Sequence, residues 1–61
     1  MPVPRRVLSI DEAMCLAYLL AHLARIGDKG HRALVTQIAA RRTLSDENAV
    51  RLRRIYRMHA S

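Results

Sequence analysis

Two groups of side chains in this 61-residue chain combine reactive or charged chemistry with regular spacing. The first is Asp11, Cys15, Tyr18 and His22, set at steps of four, three and four, so a helix carries all of them along one face. A thiol and an imidazole on one face invite comparison with a nucleophile and its base. Cys15 and His22 are two turns apart, however, about 10 Å along a helix axis. A base has to come within about 3 Å of the thiol it activates. No glycine-rich phosphate loop and no acids paired across a cleft accompany the stripe. A chain this short also has little concavity for a small-molecule substrate. The stripe reads as a solvated contact surface, and the chain as no enzyme.

The second group is arginine. Arg32, Arg41, Arg42, Arg51, Arg53, Arg54 and Arg57 fall in residues 31–61, where only Asp46 and Glu47 oppose them, so this half holds +5 of the net +6 charge. Guanidinium suits two-pronged binding of phosphate or carboxylate better than ammonium does. Arg51, Arg54 and Arg57 recur at three-residue steps and share one side of a helix, with Arg53 beside them and Arg41 and Arg42 just upstream. Contact with a phosphate backbone needs only such positive charge and reach. The chain has no Phe or Trp, which argues against a base-stacking single-strand or RNA platform. Arg5 and Arg6 form a smaller basic pair near the start, placed to reach a phosphate backbone or an acidic partner.

Metal and cofactor chemistry are not expected. Cys15, His22, His31 and His59 show none of the close pairings, such as C-x-x-C or H-x-x-x-H, that build zinc sites. Cys15 is the only cysteine, so no internal disulfide is possible, and one unpaired thiol fits a reducing cytoplasm. The apolar run over residues 13–24 is about a dozen residues, short of the roughly 20 needed to span a bilayer. Arg5 and Arg6 ahead of that run look superficially like a signal peptide, but a helix cap interrupts the pattern and no small-residue cleavage site follows.

The elements that must position these groups are helices. Ser9 and Glu12 form a capping box, and Asp11 and Glu12 place negative charge where the helix dipole favours it. Gly27 stands where a left-handed C-terminal cap would cost least. Asp28 can cap a second helix, and Ser45, with Asp46, Glu47 and a stapling Leu44, can cap a third. The expectation is an all-α, three-helix bundle with capped helices over about residues 9–26, 29–42 and 45–59. Residues 1–7, with Pro2 and Pro4, read as a flexible basic arm, and residues 8–61 as one domain. The expected inward faces are Leu34, Val35 and Ile38 of the second helix, with His31 packing beside them, and Ala49, Leu52, Ile55 and Tyr56 of the third.

The first helix is apolar around about two-thirds of its circumference, more than a thin core can cover. Chains of this size bury only about 60% of their unfolded surface. The excess predicts self-association, with Leu16, Leu19, Leu20 and Leu23 divided between core and interface. The second and third helices also partly fit a helix-turn-helix template. Ile38, Ala39, Leu44 and Leu52 suit its packing positions. Thr43 stands where glycine is usual, Arg42 where an apolar residue is preferred, and Asp46 and Glu47 would repel a phosphate backbone.

The sequence therefore predicts a small cytoplasmic regulatory module that binds nucleic-acid backbone through its arginine-rich third helix. The alternative is an inhibitor or adaptor that docks on a larger acidic protein through its apolar first helix and arginine rim. A membrane-surface role is the weakest reading, because the arginine helix lacks a broad apolar face.

Overall fold

Ser9 opens the first helix as its sequence requires. Its hydroxyl accepts from the Glu12 N–H at 3.2 Å, and Glu12 Oε1 accepts in return from the Ser9 N–H at 2.8 Å. The computed structural model describes residues 4–60. In order the elements are β1 (Arg6–Val7), α1 (Ile10–Ala21), a single 3-10 turn (Leu23–Arg25), α2 (Lys29–Arg41), β2 (Thr43–Leu44) and α3 (Asp46–Ala60). The three helices pack as a small all-α bundle.

α1 ends earlier than its apolar periodicity suggests. Both the backbone N–H of His22, at 3.1 Å, and its ring Nδ1, at 2.9 Å, donate to the Tyr18 carbonyl. The chain then tightens, with Arg25 N–H donating to His22 and Ile26 N–H to Leu23. Ile26 leaves this turn in an extended conformation and is fully enclosed in the core. The expected left-handed cap at Gly27 is therefore not formed, and neither glycine has a positive φ.

α2 starts on Asp28, whose carboxylate accepts from the His31 N–H at 3.1 Å. That bond holds the Asp28 carboxyl below its ordinary range. α2 stops at Arg42, the one non-glycine residue with a positive φ, 59°, among the described residues. Its N–H donates to the Ile38 carbonyl at 2.8 Å. The left-handed residue of the α2–α3 connection is thus Arg42, not Thr43. A side chain in that conformation costs roughly 1–2 kcal/mol, partly offset by the entropy glycine loses on folding. Arg42→Gly is expected to stabilise the domain by about 0.5–1 kcal/mol and to raise the melting temperature by about 3–6 °C in a calorimetric scan.

β1 and β2 form an antiparallel pair, with Arg6 opposite Leu44 and Val7 opposite Thr43. The residues expected to belong to a free arm are thus tied, at 6 and 7, to the α2–α3 connection. The first part of that expected arm, residues 1–3, lies outside the described residues. The core consists of Leu19, Ile26, Val35, Ile38, Leu44, Ala49, Leu52 and Ile55. Leu8, Cys15, Leu16, Tyr18, Leu23, Leu34 and Tyr56 pack around it. All three helices and the connection contribute, so the core sets how α3 is presented.

Candidate functional site

α3 is held at its start by Ser45, whose hydroxyl accepts from the Asn48 N–H at 3.2 Å. Ala49, Leu52 and Ile55 fix its inward side in the core. The 3.6-residue period then forces the arginines outward. Arg51, Arg54 and Ile55, with Gly30, His31 and Leu34 across on α2, line a depression of about 320 Å³. Val50, Arg53, Arg54 and Arg57 line a second, of about 220 Å³. Arg54 is common to both. Four of the six expected binding arginines are therefore brought together. Arg41 and Arg42 lie apart from both depressions, exposed at the α2–α3 connection. Eleven residues of α3 separate Asp46, near that connection, from Arg57, about 16 Å along the helix.

The arginines differ in what they touch. Arg51 approaches Glu47 at 4.0 Å, an exposed i,i+4 pair of small energetic weight. Arg53 lies 3.8 Å from the carboxylate of Glu12. Val50 and Met58 stand exposed among them.

Glu12 is the feature that spacing alone does not reveal. It is only 1% exposed. Arg6 grips it in a two-pronged pair, Nη1 to Oε1 and Nη2 to Oε2, each at 2.7 Å. The same guanidinium donates through Nε to Asp46 at 2.9 Å. Arg6 thus clamps the first turn of α1 to the first turn of α3. Its hydrogen bonds hold the Glu12 carboxyl down at about 2, against the opposing push of burial and with help from the Ser9 N–H. Glu12 and Asp46 in turn raise the pKa of Arg6 above its ordinary value.

Arg5 is engaged as well, donating to the Thr43 hydroxyl at 3.0 Å and the Thr43 carbonyl at 2.7 Å. The reading of Arg5 and Arg6 as an arm reaching for phosphate is corrected accordingly: their guanidinium groups bind this domain's own turn and carboxylates. Asp46, expected to repel a phosphate at the start of α3, is paired with Arg6. Only the capping box was visible in local sequence, because Arg6 reaches Glu12 and Asp46 by tertiary contact.

The Asp11, Cys15, Tyr18, His22 stripe has structural work. Tyr18 stacks on His22 with ring centroids 4.2 Å apart and meets the edge of Tyr56 at 5.3 Å. Its hydroxyl donates to the His59 carbonyl at 3.3 Å. His31 is half-buried and lies edge-on to His59 at 6.5 Å. Cys15 is half-buried against the core. Cys15→Ala is expected to change stability by no more than about 1 kcal/mol, the loss of one small, partly covered side chain. A denaturant titration and a binding assay would show whether both survive. Among the described residues, no three His, Cys, Asp or Glu side chains are grouped to hold a metal ion. None of the described helices is long and apolar enough to cross a membrane.

Of the four α1 leucines expected to divide between core and interface, Leu19 is in the core and beyond reach of any partner. Leu16 and Leu23 lean on the core, and Leu20 is exposed. No protein-family model, curated protein or solved structure matches the chain.

Proposed function

We propose that this chain is a small, non-enzymatic regulatory module that grips nucleic-acid backbone through the outer side of α3. One observation carries the reading: Arg51, Arg53, Arg54 and Arg57 border two adjoining depressions, one between α2 and α3 and one on the outer side of α3, that share Arg54. An anionic backbone crossing that face meets several guanidinium groups together, and the depressions let phosphate or sugar approach closely. On this reading the module works in the cytoplasm, as a homo-oligomer, without cofactor, metal or small-molecule substrate. A mobility-shift titration across a salt series tests it. Binding should fall steeply, with a log–log slope of about −0.9 for each phosphate contacted on duplex DNA. A flat salt dependence, or no shift at low salt, would remove nucleic acid as the partner.

A second reading has its own support. Val50 and Met58 are exposed within the arginine face, and apolar anchors inside a charged rim suit a protein interface. The partner would then be an acidic protein surface, and the module an inhibitor or adaptor. Nuclease treatment before a pull-down separates the two readings, since only the protein complex would persist.

A further inference from the structure

α1 has two apolar sides, and the bundle covers only one. Leu19 faces inward, fully covered, while Ile10 is 80%, Met14 66% and Leu20 40% exposed. Ala13, Ala17, Ala21 and Ala24 are exposed too. At 100° per residue, the exposed apolar residues of α1 itself form one stripe about 120° wide, bordered by the exposed Asp11 and as broad as the stripe a helix normally turns to a core. It contains no charged side chain. The rest of this +6 chain repels a copy of itself, so the uncharged stripe is where two copies can approach.

The pattern of the stripe is self-complementary. About Ala17 its members fall in symmetric pairs, Met14 with Leu20 and Ala13 with Ala21, while Ile10 is matched by the turn after α1. A two-fold interface requires such a self-matching patch. We infer that two copies of this chain pack α1 against α1 in antiparallel fashion, with Ala17 at the two-fold axis.

In that register Ala17 meets Ala17 of the second copy, and the absence of larger side chains at the axis lets the helices approach closely. Met14, on one edge, lies over Ala21 of the second copy. Leu20, on the other edge, lies over Ala13. Ile10 extends toward the turn that carries Ala24. Large side chains thus meet small ones along the contact. Asp11 borders the Met14 edge at the start of α1, and Arg25 lies in the turn beyond its other end, so the antiparallel register brings each Asp11 to the same end of the contact as Arg25 of the second copy. Specific interfaces begin at about 1,200 Å² in total, or about 600 Å² per copy, and a contact confined to one stripe of a 12-residue helix belongs at that small end. Association in the micromolar range fits that area. The register deepens the homo-oligomer reading above and is independent of nucleic acid as the partner.

Sedimentation from low to high micromolar concentration, with three sets of variants, tests this. The parent chain should sediment as a dimer at the upper end. Ala17→Glu places two carboxylates at the axis and should weaken the dimer roughly a hundredfold, while helical circular dichroism is retained because the position is exposed. Asp11→Arg and Arg25→Asp should each weaken it, and the double charge reversal should restore it. Ala17→Cys in a Cys15→Ser background, treated with oxidised glutathione as the two-electron oxidant, should form a disulfide-linked dimer that keeps the parent's helical signal. A parent chain monomeric throughout would overturn self-association as a whole and leave the salt-dependent mobility shift to stand or fall separately. A dimer indifferent to Ala17→Glu and to both charge reversals would keep self-association and overturn this interface.

Discussion

Glu12→Ala is expected to destabilise the domain by about 3 kcal/mol, a large share of the few kcal/mol that a chain this short can hold. The substitution removes three bonds at once: both prongs of the Arg6 pair and the acceptor for the Ser9 N–H. It also strips Arg53 of a neighbouring carboxylate. Glu12 is the buried partner and Arg6 the solvent-facing one, 44% exposed, so the cost lies in the charge-assisted bonds lost and the space the side chain leaves. The loss should lower the melting temperature by about 15–20 °C. Glu12→Gln, which keeps the shape and one carbonyl acceptor, should cost about half as much.

Acid should reproduce part of this effect in the parent protein. The Glu12 carboxyl is held at about 2 in the folded chain against an ordinary 4.5. A depressed carboxyl contributes stability that is fully present above its unfolded value and is lost as pH falls through its folded value. Stability should therefore decline between about pH 4.5 and pH 2, and Glu12→Gln should flatten that decline. Urea midpoints measured at several pH values would decide it. An unchanged acid profile in Glu12→Gln would assign the decline to other groups.

The larger functional effect belongs to the triple substitution of Arg51, Arg54 and Arg57 by Gln. Glutamine is nearly as good a helix former as arginine, and the Arg51–Glu47 pair is exposed, so folding should be retained. Arg53 is left in place because it lies beside Glu12, where its loss would mix stability with binding. If the partner is nucleic acid, three lost phosphate contacts should reduce affinity roughly a thousandfold at low salt. The log–log salt slope should become shallower by about 2.7. Arg41→Gln with Arg42→Gln, which removes two charges, is the comparison per charge lost, since those side chains line neither depression. The slope responds to that pair only if the ligand also crosses the α2–α3 connection. If an acidic protein is the partner, the triple variant should associate more slowly and lose most of its salt dependence, with dissociation little changed. A folded triple variant that binds like the parent would make the fan ordinary solvated charge, and the proposed function would fail.

Sequence alone determined what depends on neighbours within about one helical turn. Ser9 with Glu12, Asp28 with the His31 N–H, and Ser45 with the Asn48 N–H are all three-residue contacts, and they located the three helix starts. The same short period put Ala49, Leu52 and Ile55 inward and the arginines outward on α3. Tertiary structure decided the rest. α1 is apolar on so many sides that periodicity alone could not say which side would be covered. Packing against α2 and α3 buried Leu19 and left Met14 and Ala17 outside. The end of α1 was set by His22 binding the Tyr18 carbonyl and by Ile26 entering the core, not by the nearby Gly27. Arg6, which reads in sequence as a free cation, meets Glu12 and Asp46 only after residues 6 and 7 pair with the α2–α3 connection. Arg6 and Asp46, 40 residues apart, leave no periodic trace in the chain, because their meeting depends on how the whole bundle closes.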